Sequence, residues 1–286
     1  MVGFIKKTQK DIDKFKLTRA IELRTGKTEP ARGYKNLHAS DLTKADFCPR
    51  KFVLVRHHNV KLKDDYISTP LRMTFDEGND KQARINNDYL GDTMWGFWHC
   101  NHCYLRVGFS KRPALCTCGA QDYSYDETFV RHTQSILGGN IDGIVELDAN
   151  VLTPIEIKIM AQADFIKLKA PLVEHRIRTK LYLHLIENAK QEYAKKINHQ
   201  KARILYVQRG FGKKGAEGYV TPFKEFVILR DDEEIQPLID MAARITQIEK
   251  SNKAPEALSY IAPQGICSTI TSKCALKCPV RTQCFQ

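Results

Sequence analysis

Asp142, Glu156 and Lys158 are the residues of this 286-residue chain whose types and spacing best suit hydrolytic chemistry. In the stretch Pro154 to Ile159 (PIEIKI), strand alternation sends Ile155, Ile157 and Ile159 to one face. It sets Glu156 and Lys158 side by side on the other. Asp142 stands fourteen residues before Glu156, in the strand-like run Ile141 to Leu147. A turn at Asp148 to Asn150 would fold that run back on 154–159 as a hairpin. Two carboxylates converging across paired strands offer oxygen ligands of the kind Mg²⁺ and Mn²⁺ prefer. A metal there polarises a phosphate and activates a water, and an adjacent lysine orients that water or offsets developing charge. Glu-x-Lys alone on a strand is an ordinary exposed ion pair. The upstream Asp142, after Gly138 and Gly139, is what gives the pair chemical interest.

The nine cysteines form a second set of reactive groups. Cys100, Cys103, Cys116 and Cys118 make two close pairs separated by twelve residues, a spacing that resembles a zinc ribbon. Four thiolates close a tetrahedral zinc site and leave no open position, so the expected role is structural. Cys267, Cys274, Cys278 and Cys284 crowd the C-terminal end, and Cys48 stands alone before Pro49-Arg50-Lys51. Close clusters in a chain of this length, without an apolar leader, favour metal over disulfides.

These groups need elements to hold them. Residues 1–37 read as a basic N-terminal segment with a helix around 9–24. The expected main body is a single domain over 38–286. Asp41 is a cap for a helix running through Cys48 to about His58. A second helix fits 69–89. Residues 96–125, rich in Cys, Gly, Pro and aromatics, read as an inserted module. Strands follow up to 160, then a long helix over about 171–196, strands at 202–207 and 225–229, and a helix capped by Asp231 or Asp232 that runs to Lys250. Arg209 to Gly218 is a basic loop. The order implies an α/β fold, a mixed sheet flanked by helices.

The formal net charge of +12 draws the chain towards polyanions without separating nucleic acid from anionic lipid. No apolar run is long enough to span a bilayer, and the N-terminal residues carry no apolar stretch with a cleavage site. The expectation is therefore an intracellular protein of the cytoplasm (host cytoplasm if viral) with no membrane partner.

Taken together, Asp142, the Ile-Glu-Ile-Lys strand and the cysteines resemble the PD-(D/E)XK nuclease superfamily. Within it the likeness is to RecB-like iron–sulfur exonucleases, such as the CRISPR-associated RecB-like and AddB-type nuclease domains. The resemblance implies that Asp142, Glu156 and the Ile157 carbonyl bind Mg²⁺ or Mn²⁺, with Lys158 as the catalytic lysine. Relatives carry a Gln and, four residues on, a Tyr in the next helix; here Arg178 replaces the Gln and Tyr182 follows. Gln82 occupies the place of a metal-touching His. Arg178, Tyr182 and Gln82 are thus expected at the site. Cys48, Cys274, Cys278 and Cys284 would hold a four-iron four-sulfur cluster that ties the start of the domain to its end, with Cys267 in reserve. A second zinc site is the alternative for those thiolates. Lys167, Lys169, Arg209, Lys213 and Lys214 are candidates for DNA-backbone contacts. The implied activity is metal-dependent DNA hydrolysis, as an exonuclease on single strands or ends in recombination, repair or phage DNA metabolism. Partners would be DNA and a recombination or replication protein. Two rivals remain: a non-catalytic DNA-binding or assembly subunit stapled by its metal sites, and a zinc-ribbon RNA-binding or regulatory protein.

Overall fold

The computed structural model describes residues 21–22, 24–29, 36–62, 65–210, 214–215, 218–219, 221–251 and 278–284. The expected helix around 9–24 falls almost entirely outside them. The chain divides into two compact units, one of Met1–Gly33 with Lys61–Asp80 and one of Tyr34–Val60 with Lys81–Gln286. In the first unit β1 (Lys27–Glu29) pairs antiparallel with β3 (Asp65–Ile67). Gly26 fits closely there, because a side chain at that position would strike the Tyr66 hydroxyl and the Glu22 carbonyl.

The second unit holds the candidate chemistry. It begins with β2 (Leu37–His38), α1 (Ala39–Leu42) and α2 (Pro49–His57). The single helix expected from Asp41 to His58 is therefore two. Pro49, which fixes a helical φ and lacks an N–H, starts α2 at its first position. Cys48 caps that helix from outside it, its Sγ accepting from the Lys51 N–H at 3.3 Å. Helix α3 (Thr69–Arg84), which up to Asp80 belongs to the first unit, runs on into a π-helical turn at Ile85–Tyr89.

Three strands then form a small sheet: β4 (Trp95–Cys100), β5 (Arg106–Lys111) and β6 (Tyr123–Asp126), in the order β5-β4-β6. Next come β7 (Thr128–Arg131) and β8 (Leu137–Ile141), which pair antiparallel, with β2 parallel on the far side of β8. The main sheet follows: β9 (Gly143–Asp148), β10 (Val151–Met160), β11 (Lys201–Gln208) and β14 (Phe223–Leu229), in the order β14-β11-β10-β9. It is mixed, since β10 and β11 run parallel and the outer pairs antiparallel. A two-residue pair, β12 (Lys214–Gly215) with β13 (Gly218–Tyr219), lies between β11 and β14 in the chain.

Parallel β10 and β11 require a long crossover. Helix α4 (Gln162–Lys167), helix α5 (Val173–Glu187) and a 3₁₀ turn at Glu192–Lys196 provide it. The expected helix over 171–196 thus stops early. Asn188 closes it, its N–H and its side-chain amide both donating to the His184 carbonyl. From Thr179 to Ile186 only His184 escapes full burial, because α5 packs on the sheet and also against α6 (Asp232–Ser251). A helix covered on two sides carries little apolar asymmetry. The buried Lys180 within it is neutralised by Asp231 at 2.8 Å and by Glu234. Helix α7 (Arg281–Cys284) packs on α2.

The isoleucine face of β10 joins the small sheet in one core. Ile155, Ile157, Val145 and Val207 share a buried cluster with Met94, Trp98, Cys100, Cys116 and Tyr123. Trp98 is fully buried, its ring edge-on to Tyr125 at 5.3 Å. The opposite face of β10, bearing Glu156 and Lys158, is left for α5 to cover.

Candidate functional site

Asp142 occupies the bend between β8 and β9 instead of a position within a strand. The bend matters because β9 pairs with β10 only as far as Ile155, opposite Gly143. Beyond that point the two strands part like a fork, and the Ile157 N–H has no ladder partner on the β9 side. Asp142 fills the gap, its Oδ2 accepting from the Ile157 N–H at 2.7 Å. Gly143 permits the fork, since a Cβ there would meet Ile155 and Met94 at 2.9 Å. Asn86, buried in the π-helical turn, donates to the Asp142 carbonyl at 2.9 Å and holds the bend from behind. π-Helical turns are frequent at functional sites.

The fork brings Asp142, Glu156 and Lys158 together. Lys158 Nζ lies 2.7 Å from Glu156 Oε1, 3.3 Å from Asp142 Oδ2 and 3.0 Å from the Ile157 carbonyl. Glu156 is 2% exposed, and its Oε2 is buried with no hydrogen-bond partner. Leaving such an oxygen unmatched costs about 1–3 kcal/mol, and more for a charged group. Burial, and then the neighbouring Asp142 charge, push the Glu156 carboxyl up to about 7, against the pull of Lys158 and Arg178. Burial works against the Lys158 ammonium, but Asp142 and Glu156 together hold it above its ordinary value.

Helix α5 closes the other side. Arg178 Nη1 reaches Glu156 Oε1 at 3.4 Å, and its Nη2 donates to Glu174. Tyr182, one turn further on, is buried; burial and then Glu156 and Asp142 raise its phenol well above the ordinary value. Its ring sits on Gly139 of β8, where a Cβ would lie 2.6 Å from the ring carbon Cε1. Gly139→Ala is therefore expected to displace Tyr182 and to cost about 1–3 kcal/mol, the usual range for overpacking. Denaturant unfolding checks this: a lower midpoint at unchanged slope is expected.

Gln82 does not touch Asp142 or Glu156. Its Nε2 donates to Glu127 Oε1 at 3.1 Å. Glu127, between β6 and β7, was not singled out by spacing or resemblance. Burial and then the Asp142 charge raise its carboxyl, and Gln82, Asn140 and Lys158 oppose the shift. It is thus a third carboxylate at the fork. The signal that would have found it, pairing of β7 with β8 beside Asp142, exists only once the strands are assembled.

Of the basic candidates, Lys167 and Lys169 line a pocket of about 420 Å³ with Met160, Asp164, Leu168, Ala170 and Leu172. Met160 shares a strand face with Glu156 and Lys158, which do not themselves line the pocket. Lys224 ties down the end of α4, donating to the Phe165 carbonyl at 2.6 Å and the Leu168 carbonyl at 2.7 Å. Arg209 follows β11, its N–H donating to the Met160 carbonyl at 2.7 Å. Lys213 lies outside the described residues, as does the side chain of Lys214.

A separate cluster of metal-ligating groups lies in the small sheet. The Sγ atoms of Cys100, Cys103, Cys116 and Cys118 all fall within 4.8 Å of one another. Two tight turns present them. In the first, the Tyr104 N–H donates to the Cys100 carbonyl, with Tyr104 at φ 60°. In the second, the Gly119 N–H donates to the Cys116 carbonyl at φ 85°, a conformation glycine adopts without strain. The Cys118 N–H lowers the Cys116 thiol, and the hydrogen bond Cys116 shares with Cys103 raises Cys103 in turn, so the two divide one thiolate between them.

Among the terminal cysteines, Cys274 and Cys267 lie outside the described residues. Cys48, Cys278 and Cys284 come near enough to interact. Burial raises the Cys48 thiol most, and Cys284 and Cys278 raise it further.

No protein-family model and no curated protein matches the sequence. Among solved structures the chain is similar to SSO0001, with 15% identity and a TM-score of 0.36 over 90% of this chain and 98% of that one. It is also similar to LHK-Exo, an alkaline exonuclease from Laribacter hongkongensis, with 12% identity and a TM-score of 0.45 over 82% of this chain and 94% of that one. The complex of LHK-Exo with dAMP gives 13% identity and a TM-score of 0.43 over 77% and 90%.

Proposed function

We propose that this chain is a metal-dependent DNA nuclease whose site is the fork at Asp142, Glu156 and Lys158. The observation that carries the reading is the buried, unpartnered Oε2 of Glu156 beside Asp142. A carboxylate left in that state is stabilised by a cation, and the adjacent oxygens of Asp142 and Ile157 fit a hard one, Mg²⁺ or Mn²⁺. Such an ion, when bound, polarises the phosphate and lowers the pKa of a water. Lys158 holds and orients the carboxylates and offers its ammonium to charge that develops on phosphate. Arg178 restrains Glu156. Tyr182 walls the site, and Glu127 with Gln82 borders it. Lys167, Lys169 and Arg209 contact the DNA backbone, which makes binding steeply salt-dependent. Single strands or DNA ends are the preferred substrate, and cutting is exonucleolytic.

The two cysteine groups serve different cofactors. A tetrahedral zinc with bonds of about 2.3 Å sets its sulfurs about 3.8 Å apart. Cys100 and Cys118 stand 3.7 Å apart and Cys103 and Cys116 3.6 Å, so these four hold zinc. Cys48, Cys278 and Cys284 are brought within electrostatic range of one another where α7 packs on α2. These three, with Cys274, supply the four thiolates that a four-iron four-sulfur cluster takes. The protein purified without oxygen is expected to be brown, and Cys278→Ser to lose the broad visible absorbance. Colourless wild-type protein with zinc and no iron contradicts the cluster.

The Arg178 contact to Glu156 favours a second reading, a subunit that binds DNA without cutting it. Incubating end-labelled single- and double-stranded DNA with Mg²⁺, Mn²⁺ or EDTA separates the two. Cutting that requires metal is expected. Metal-loaded protein that binds both DNAs and cuts neither establishes the second reading instead.

A further inference from the structure

Helix α5 places His175 three residues before Arg178 and seven before Tyr182, on one helical face. Tyr182 meets Gly139, and Arg178 meets Glu156. His175, the first of the three, meets Tyr206, with its Nδ1 2.9 Å from the phenolic oxygen. Tyr206 lies directly opposite Lys158 in the β10–β11 ladder, and partners in a parallel ladder present their side chains to the same face. His175 therefore lies over the same face of the sheet as Lys158, close enough for the Lys158 charge to act on its ring.

The hydrogen bonds around Tyr206 assign the ring proton of His175. The Leu172 N–H donates to the Tyr206 oxygen at 3.0 Å. Tyr206 is fully buried, and no described residue other than His175 is in place to accept its hydroxyl hydrogen. A buried hydroxyl without an acceptor is unfavourable, so Tyr206 donates to Nδ1. The proton of the neutral imidazole is then on Nε2. No described residue accepts from Nε2, and the side chain is only partly buried. Burial and then the Lys158 and Arg178 charges keep the ring neutral, with its pKa lowered to about 4.

We propose that His175 is a further catalytic residue of this site, donating its Nε2–H to a non-bridging oxygen of the phosphate bound beside Lys158. The role rests on the nuclease reading above. A neutral donor suits this place: Lys158 and Arg178 already supply charge, and a third cation would compete with the metal for the carboxylates. Tyr206 acts only through His175, as a positioning residue.

The test uses the full chain with Mn²⁺ and an end-labelled single-stranded oligonucleotide in single-turnover cleavage. His175→Ala is expected to slow cleavage by about 10²-fold, the scale for removing one transition-state donor. His175→Gln, which keeps an N–H donor, should recover about tenfold of that loss. Tyr206→Phe should slow the wild type and change nothing in the His175→Ala background. Oligonucleotide binding, measured in the Lys158→Ala background, should weaken by no more than about threefold on His175→Ala, far less than the loss in rate. Wild-type protein that cuts no DNA overturns both the nuclease reading and this role. Wild-type protein that cuts, with His175→Ala within twofold of it, overturns the role alone. Equal losses in the Ala and Gln variants, with lowered melting temperatures, also overturn it, because that marks a packing defect.

Discussion

Glu156→Gln is expected to abolish cutting, by at least ~10³-fold, while making the protein more stable at pH 8. The loss follows from removing a metal-facing charge that acts on the developing phosphate charge. The gain in stability follows from where Glu156 sits. It is 2% exposed, and its folded-state pKa is raised to about 7 from an ordinary 4.5. Between those values the folded protein binds the proton that the unfolded chain releases. Stability therefore falls as pH rises through that window, and the cost is complete above about 7. Gln removes this cost, and its former partners keep others: Lys158 retains Asp142, and Arg178 retains Glu174. A gain of about 0.5–2 kcal/mol at pH 8, shrinking towards pH 5, is expected. Mn²⁺ should raise the melting temperature of the wild type and not that of the variant, since a ligand stabilises only the state that binds it. Thermal melts at the two pH values, with and without Mn²⁺, check all of this. A variant less stable than wild type at pH 8, or equally shifted by Mn²⁺, contradicts the metal assignment.

The second large effect belongs to the cysteine module. Cys116→Ser is expected to release zinc and unfold the sheet of β4, β5 and β6. Structural zinc in small modules contributes roughly 10–16 kcal/mol of apparent binding energy, so little of the module's order survives its loss. The damage should travel further. Trp98 and Tyr123 share their core with Ile155 and Ile157, whose strand carries Glu156 and Lys158 on its reverse face. Glu146 of β9 is also tied to the module, by Trp95 Nε1 at 3.1 Å and Lys111 Nζ at 2.5 Å. Activity should therefore fall with zinc content, although none of these four cysteines bonds to Asp142, Glu156 or Lys158. Metal analysis, the near-ultraviolet signal of the tryptophans and proteolysis within residues 100–123 measure the outcome. A zinc-free variant that keeps the tryptophan signal and resists proteolysis contradicts the structural role.

How much of this was legible in the sequence depends on the range of the interaction. Glu156 and Lys158 share a face because strand alternation is a two-residue rule, and that rule is visible in Ile-Glu-Ile-Lys. The Cys100 group is visible because its two turns are local. Helix ends were less so. Asp41 looked like the start of one helix, but Pro49 restarts the chain with Cys48 outside it. Asp142 was expected within a strand, yet its use depends on a bend where β9 and β10 part. Glu127, Asn86 and the His175–Tyr206 pair could not be read at all. Each reaches the site through contacts 15 to 56 residues away, and no local periodicity encodes them. The mixed sheet flanked by helices followed from element order, whereas the continuity between the cysteine module and the β10 core did not.

The central claim is that the fork cuts DNA, and Lys158→Ala tests it most directly. Wild type and variant would be compared in Mn²⁺ on the same end-labelled single strand, with binding measured in parallel. Metal-dependent cutting by the wild type, at least ~10³-fold slower cutting by Lys158→Ala, and DNA binding retained by both are expected. Equal cutting by the two proteins would contradict the site, whatever the activity of the chain.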